Sequence, residues 1–570
     1  MEPTLRSLWG EAAATLRRTR GIVPADLLLL AGAAGILLGL AAVAHEWAGV
    51  LRPAVAIDPS PRALPVYALY SLSRGLLAYL LSLAFALGYG YWAAKDPLAE
   101  RVLLPLLDIL QSIPVLGFMP AVVIGLVALF PHANVGLELA AVLMIFTGQA
   151  WNLTFSFYHS LKSIPQELRE AAVVYRYSPW QRLRWLELPI SAIGLVWNSM
   201  MSMAGGWFFL MITEAFVLGD RDFRLPGLGS YMSAAVARGD VPAMIWAIFA
   251  MVAMILVLDQ ILWRPVVAWA QKFRVEETSQ AQLPTSWLLS WLRRSPLLAR
   301  LRASVDRPRA PRVAAARRSL PLAGPLSRIL LVILAAALAL GAVRLVHILG
   351  HVPPQEWVRT AGAGGLTLGR VLLSTAIGTL WALPAGLAIG LSPRLARALQ
   401  PVIQVAASFP APMLFPAAVA VLAALGVPLG WGSVLLMLLG TQWYILFNVI
   451  AGAMEIPGDL REAAVSYRLG PWRRFRALWL PGVFPHLVTG WVTAAGGAWN
   501  ASIVSEYVTY RGRVLSATGL GSRISVAAER GDFPSLAASV VTMAVIVVAF
   551  NRLVWQPCYR LAQTRYSISK

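Results

Sequence analysis

The chain has 570 residues, 58% of them hydrophobic and 13% charged, with a mean hydropathy of +0.66. That much apolar side chain excludes an ordinary soluble domain and makes lipid the solvent for most of the protein. The net charge of +21 is crowded into the connections between apolar runs, which points to cytoplasmic loops and anionic lipid headgroups and away from a nucleic-acid surface.

Residues 1–25 are polar and basic, with Arg17, Arg18 and Arg20 ahead of an apolar run at about 26–44. A similar run at about 328–349 opens the second half from an internal position, so the first reads as a retained span and not a cleaved signal peptide. Further apolar segments follow at about 66–94, 103–131, 136–158, 190–217 and 243–264, then at about 366–391, 401–426, 431–454, 482–508 and 535–556. Each approaches or exceeds the roughly 20 residues a helix needs to cross a bilayer. None shows the alternation of a barrel strand.

The expected fold is therefore all-α and integral to the membrane. It comprises two homologous six-helix halves, 1–264 and 327–570, joined by a basic cytoplasmic linker at 265–326. The even number of crossings puts both termini in the cytoplasm.

The halves are copies. Trp151 and Trp443, Trp207 and Trp499, Glu214 and Glu506, and Gly227-Leu228-Gly229 and Gly519-Leu520-Gly521 all stand 292 residues apart. Upstream the separation is 296, pairing Arg74 with Arg370, Pro114 with Pro410 and Pro120 with Pro416. A period this long marks a duplicated membrane half and not a solenoid.

The most polar copied stretches run from Glu170-Ala171-Ala172 through Arg176, Ser178 and Pro179 to Pro189, and from Glu462-Ala463-Ala464 through Arg468, Gly470 and Pro471 to Pro481. Leu-Arg-Glu-Ala-Ala is strongly helix-forming, Ser178-Pro179 and Gly470-Pro471 interrupt it, and a second short basic turn follows. Helix, break, helix on the membrane surface gives a rigid knob.

This pattern resembles the Glu-Ala-Ala loop of the inner-membrane permease subunits of ATP-binding-cassette importers. The segment Ser112-Ile113-Pro114 to Pro120 and the two Gly-Leu-Gly sites resemble the nitrate, sulfonate, taurine and bicarbonate branch. The resemblance implies two separate ATPase subunits, carrying ATP and magnesium, that receive the two loops as coupling elements. It also implies an external solute-binding protein, periplasmic or lipid-anchored, in an importer of the bacterial inner membrane.

One departure stands out. The family usually has glycine six residues after the loop glutamate, where this chain has Arg176 and Arg468. Because arginine does not enter the left-handed region cheaply, the break is expected two residues later, at Ser178 and Gly470.

Two prolines six apart inside an apolar run are expected to break it, and non-helical backbone at membrane depth persists where it is packed in protein or lines a cavity. Ser112, Pro114, Pro120, Ser408, Pro410 and Pro416 are therefore read as framing the translocation path. Glu214 and Glu506 are ionisable groups in spanning segments, read as a gate or as arginine-paired, with Gly205-Gly206 and Gly496-Gly497 as candidate breaks.

The chain has four lysines, none in a phosphate-binding loop, so it is not itself the ATPase. Six histidines, of which only His347 and His351 stand four apart, and the lone Cys558 suggest no catalytic or cofactor centre. The rival reading, an ion-coupled secondary transporter built from two repeats, gives no reason for twin cytoplasmic knobs.

Overall fold

A computed structural model describes residues 35, 39, 41–49, 55–218, 221–273, 286–292, 324–510 and 513–566. The N-terminal arginines, most of the 26–44 run, most of the basic linker and the side chain of Ser112 lie outside this description.

In the first repeat α1 (Leu64–Lys95) stops at Asp96, whose carboxylate accepts from the Leu98 and Ala99 N–H groups and so starts α2 (Pro97–Ser112). Next come α3 (Val115–Leu129), α4 (Val135–Lys162) and α5 (Gln166–Val174). A turn Pro179–Arg182 and a π-turn Leu183–Glu187 lead into α6 (Leu188–Thr213). The antiparallel hairpin of β1 (Ala215–Leu218) and β2 (Arg221–Arg224) follows, then α7 (Leu228–Arg238) and α8 (Val241–Leu258), which runs on into a π-turn Asp259–Trp263.

The second repeat opens with α9 (Pro325–Leu349) and repeats the order as α10 (Pro354–Leu391), α11 (Pro393–Ser408), α12 (Phe415–Ala424), α13 (Leu429–Glu455) and α14 (Gly458–Ser466). It closes with a π-turn Phe475–Trp479, α15 (Leu480–Ser505), the hairpin β3 (Tyr507–Tyr510) and β4 (Arg513–Ser516), α16 (Leu520–Arg530) and α17 (Phe533–Phe550).

Among the described residues eight helices are long and apolar enough to cross a membrane, and two bent pairs raise the number to ten. The expected crossing at 482–508 falls on α15, whose 26 residues give about 39 Å at 1.5 Å each but which is not among those eight helices or the bent pairs.

Three expectations are corrected. The segments 103–131 and 401–426 are not single helices but bent pairs, because α2 meets α3 at 98° and α11 meets the α12 segment at 83°. Only the first proline of each pair makes the break. Pro114 and Pro410 sit in extended backbone ahead of the next helix, whereas Pro120 lies within α3 and Pro416 in the first turn of α12, where its missing N–H is harmless.

Second, α6 and α15 run unbroken through their glycine pairs. The helix backbone bonds suffice there, and the side chains missing at Gly206 and Gly497 leave room for Gln149 and Tyr444. Third, the apolar runs 190–217 and 482–508 end as β1 and β3, because strand and helix cannot be told apart in a short terminal apolar run.

The described chain divides into two compact units. One comprises Met1–Gly49, Ser160–Trp197 and Leu256–Pro321 and holds α5 with its π-turn. The other comprises Val50–His159, Asn198–Ile255 and Leu322–Lys570.

Within this second unit the repeats interlock. Leu331 of α9 packs with Ala93, Ala99 and Leu103 of the first repeat, and the Trp92 indole donates to Ser327 at 2.9 Å. Close approach rests on small residues, as membrane packing requires: a methyl on Gly390 of α10 would stand 2.6 Å from Ala453 Cβ on α13.

Candidate functional site

The copied loops have the same backbone. At the end of α5 the Tyr177 N–H donates to the Ala172 carbonyl and the Arg176 N–H to the Val173 carbonyl, both at 2.9 Å. At the end of α14 Leu469 donates to Ala464 at 3.1 Å and Arg468 to Val465 at 2.9 Å. This is the paired closure that terminates many helices, and it needs a left-handed residue in the middle.

That residue is the arginine. Arg176 has φ 52° and Arg468 φ 50°, and among the described residues no other non-glycine residue has positive φ. The expectation that the break moves to Ser178 and Gly470 is therefore wrong. Both are extended residues that start the next turn, where Ser178 Oγ accepts from the Gln181 N–H and the Gln181 side chain accepts from the Ser178 N–H. The helix-closing bonds hold arginine in a conformation that costs an L-residue about 1–2 kcal/mol.

A second pair of arginines fixes each knob to the preceding helix. Arg169 donates from Nη2 to the carbonyls of Leu161 at 3.1 Å and Lys162 at 2.8 Å, and Arg461 donates likewise to Ala453 at 2.8 Å. A cation on the final carbonyls of a helix is held by both hydrogen bond and dipole. Ala172 and Ala464 face inward, while Glu170, Arg176, Ser178, Pro179, Glu462, Arg468, Gly470 and Pro471 lie exposed beside Tyr175, Trp180, Tyr467 and Trp472.

Glu214 and Glu506 end α6 and α15, and each is buried in a cluster. Both Glu214 oxygens are engaged: Oε1 accepts from Arg74 Nη1 at 2.8 Å and Ser71 Oγ at 2.7 Å, and Oε2 from the Gly229 N–H at 2.7 Å. Arg74, itself fully buried, also forks onto Glu138, with Nε to Oε2 at 2.5 Å and Nη2 to Oε1 at 2.7 Å. A bidentate arginine of this kind is geometrically demanding and rigid.

In the second repeat Glu506 accepts from Arg370 Nη1 at 2.6 Å, Thr367 Oγ1 at 2.9 Å and the Gly521 N–H at 2.9 Å. Each carboxylate thus caps the start of the following helix, α7 or α16, and complements its dipole. The same contact explains the glycines: a methyl on Gly227 would come within 2.3 Å of the Glu214 carboxyl, and one on Gly519 within 2.1 Å of Glu506.

Sequence reasoning singled out the two glutamates but not Ser71, Arg74, Glu138, Thr367 or Arg370. The signal was present. An arginine repeated within an apolar run is an intramembrane ionisable group seeking a partner.

At the bends, Pro114 and Pro410 are buried and Ser408 and Pro416 partly so. The Val115 N–H, freed by the break at Pro114, donates to Asn500 Oδ1 on α15 at 2.8 Å, and Gly117 lies against Val540 of α17. The first repeat's bend therefore packs on the second repeat.

A sequence profile described as "binding-protein-dependent transport system inner membrane component" matches residues 86–262 and again 378–554. The chain is 29% identical over 143 residues to a bicarbonate transport system permease protein of Synechocystis sp., covering 25% of this chain and 49% of that one. It is 28% identical over 203 residues to a taurine transport system permease protein of Escherichia coli, covering 35% of this chain and 67% of that one. It is 28% identical over 193 residues to a glycine betaine/carnitine transport permease protein of Listeria monocytogenes, covering 34% of this chain and 62% of that one. The chain thus spans about half to two thirds of the length of these curated relatives.

Proposed function

The chain belongs to the family of binding-protein-dependent transport system inner membrane components, and we propose that it is the permease of an ATP-binding-cassette importer with both permease units in one polypeptide. It is a multi-pass inner-membrane protein of a transport family whose members are not enzymes themselves. The proposal adds that two separate ATPase subunits dock on the two loops and that a solute-binding protein delivers the cargo from outside.

The observation that carries this reading is the pair of loops. Each is a short helix closed by a left-handed arginine, tied to the preceding helix by Arg169 or Arg461 and followed by a π-turn. Rigid attachment suits a lever that passes the ATPases' movement to the membrane helices, and the exposed aromatic and basic side chains suit a protein partner. A π-turn after each loop is a weak point where such movement could be absorbed.

The bicarbonate, taurine and betaine systems named by the relatives carry solutes that share an oxyanion group, so the cargo is proposed to be a small solute of that kind. Glu214 and Glu506, saturated by arginine, hydroxyl and N–H donors, are proposed to frame the path as fixed struts and not as charges that meet the cargo. The bends at Pro114 and Pro410 are proposed to border it.

Co-purification with its ATPases and reconstituted uptake test the function. The Glu170→Arg, Glu462→Arg double variant is expected to lose ATP-stimulated uptake while still inserting in the membrane.

A further inference from the structure

The two ion clusters differ at one place. In the first repeat Arg74 is closed on every side, with Nε and Nη2 on Glu138 and Nη1 on Glu214 and on the Pro226 carbonyl at 2.8 Å. The residue 292 positions after Glu138 is Gly430, the second residue of α13. There Arg370 Nε donates to the Gly430 carbonyl at 3.0 Å and Nη1 to Glu506. Among the described residues Nη2 has no partner.

The space is open as well as unpartnered. A methyl added to Gly430 would stand 3.7 Å from Arg370 Nη2 and, apart from its own turn of helix, within 4 Å of no other heavy atom among the described residues. The Arg370 side chain keeps 14% of its accessible surface, where that of Arg74 keeps 0%. In charge the first cluster sets two carboxylates against one guanidinium, and the second sets one against one. Beside the open place lies the first turn of a 27-residue helix, in which Trp431 and Gly432 donate to the Pro428 carbonyl while the Leu429 and Gly430 N–H groups have no intrahelical acceptor, and whose dipole end is positive.

We propose that this place binds a small oxyanion with a carboxylate-like pair of oxygens, in the position that Glu138 fills permanently in the first repeat. One oxygen accepts from Arg370 Nη2 and another lies over the first turn of α13. The first repeat thus carries an internal counterpart of the ligand and is closed, and the second carries the site. That the bound anion is the transported cargo rests on the importer reading above; that an anion binds does not.

Calorimetric titration of the purified full chain in neutral detergent with sodium formate and sodium nitrate, against equal sodium chloride, tests this without any ATPase. Wild-type protein is expected to bind one formate or nitrate saturably and more tightly than chloride. Gly430→Glu, which supplies the missing carboxylate, should weaken that binding at least tenfold and raise the thermal midpoint. Glu138→Gly should raise the stoichiometry towards two.

Absence of saturable binding, equal affinity for chloride, or unchanged binding in a folded Gly430→Glu variant would overturn the proposal. Loss of formate binding in nanodiscs of phosphatidylglycerol, but not of phosphatidylcholine, would assign the place to a lipid headgroup and overturn the solute assignment. Failure of ATP-driven uptake with anion binding intact would count against the importer reading alone.

Discussion

Arg176 and Arg468 occupy a conformation that glycine would adopt freely, and both repeats retain the arginine. Relief of the left-handed backbone should make Arg176→Gly and Arg468→Gly each more stable by about 1 kcal/mol, the lower end of the left-handed penalty. The thermal midpoint of the purified double variant should rise, while the proposed docking role of the two arginines predicts that ATP-stimulated uptake falls; an unchanged midpoint with full uptake would contradict both roles. Arg74 behaves oppositely. Arg74→Met strands Glu138 and Glu214 in a buried site, and removal of one partner from a buried ion network costs about 3–5 kcal/mol. A large drop in thermal midpoint or loss of folded protein is expected, whereas a mild effect would show that water reaches the cluster.

At the scale of elements, the first glycine of each Gly-Leu-Gly site is required because a glutamate carboxylate lies directly on it, and the second because the backbone of α6 or α15 does. Gly227→Ala and Gly519→Ala should each disrupt the hairpin-to-helix corner, while Gly362→Ala, with nothing within 4 Å, should leave the midpoint unchanged. The corner at Asp96 makes a pH prediction. The Ser327 hydroxyl, which donates to Asp96 across the repeats, holds its carboxyl below the ordinary value, helped by the Leu98 and Ala99 N–H groups. Its stabilisation is complete above the unfolded carboxylate pKa of about 4 and is lost as the pH falls through the lower folded value. Acid melting should therefore be less steep in Asp96→Asn; an identical pH profile would remove the link. Much of this architecture was legible in advance, because apolar run length and the 292-residue repeat directly express bilayer thickness and duplication. The hairpins β1–β2 and β3–β4 were not, since strands of four residues directly after a helix are too short to carry a period of their own. Nor were the partners of Glu214: Ser71 and Arg74 lie more than a hundred residues away, and only folding brings them to it. The left-handed arginines were misread because intrinsic propensity was weighed without the two closing hydrogen bonds that override it.

For the whole molecule, tandem fusion fixes a one-to-one ratio of two permease units and lets them diverge. The copied loops have stayed alike in backbone, differing mainly in the Ser178 cap that Gly470 lacks, as expected if both must fit an ATPase of the same shape. The ion clusters have diverged, with Glu138 in one and Gly430 in the other, as expected if only one needs to meet an anion. The central claim is that twin loops transmit ATP hydrolysis to this membrane chain. It is tested most directly by reconstituting the chain with its ATPases in liposomes and following uptake of labelled bicarbonate, nitrate and taurine presented by the binding protein. At least one solute should accumulate only with ATP inside, and the Glu170→Arg, Glu462→Arg variant should neither accumulate it nor retain the ATPases. Accumulation driven by an ion gradient without ATP, or undiminished in that variant, would contradict the account.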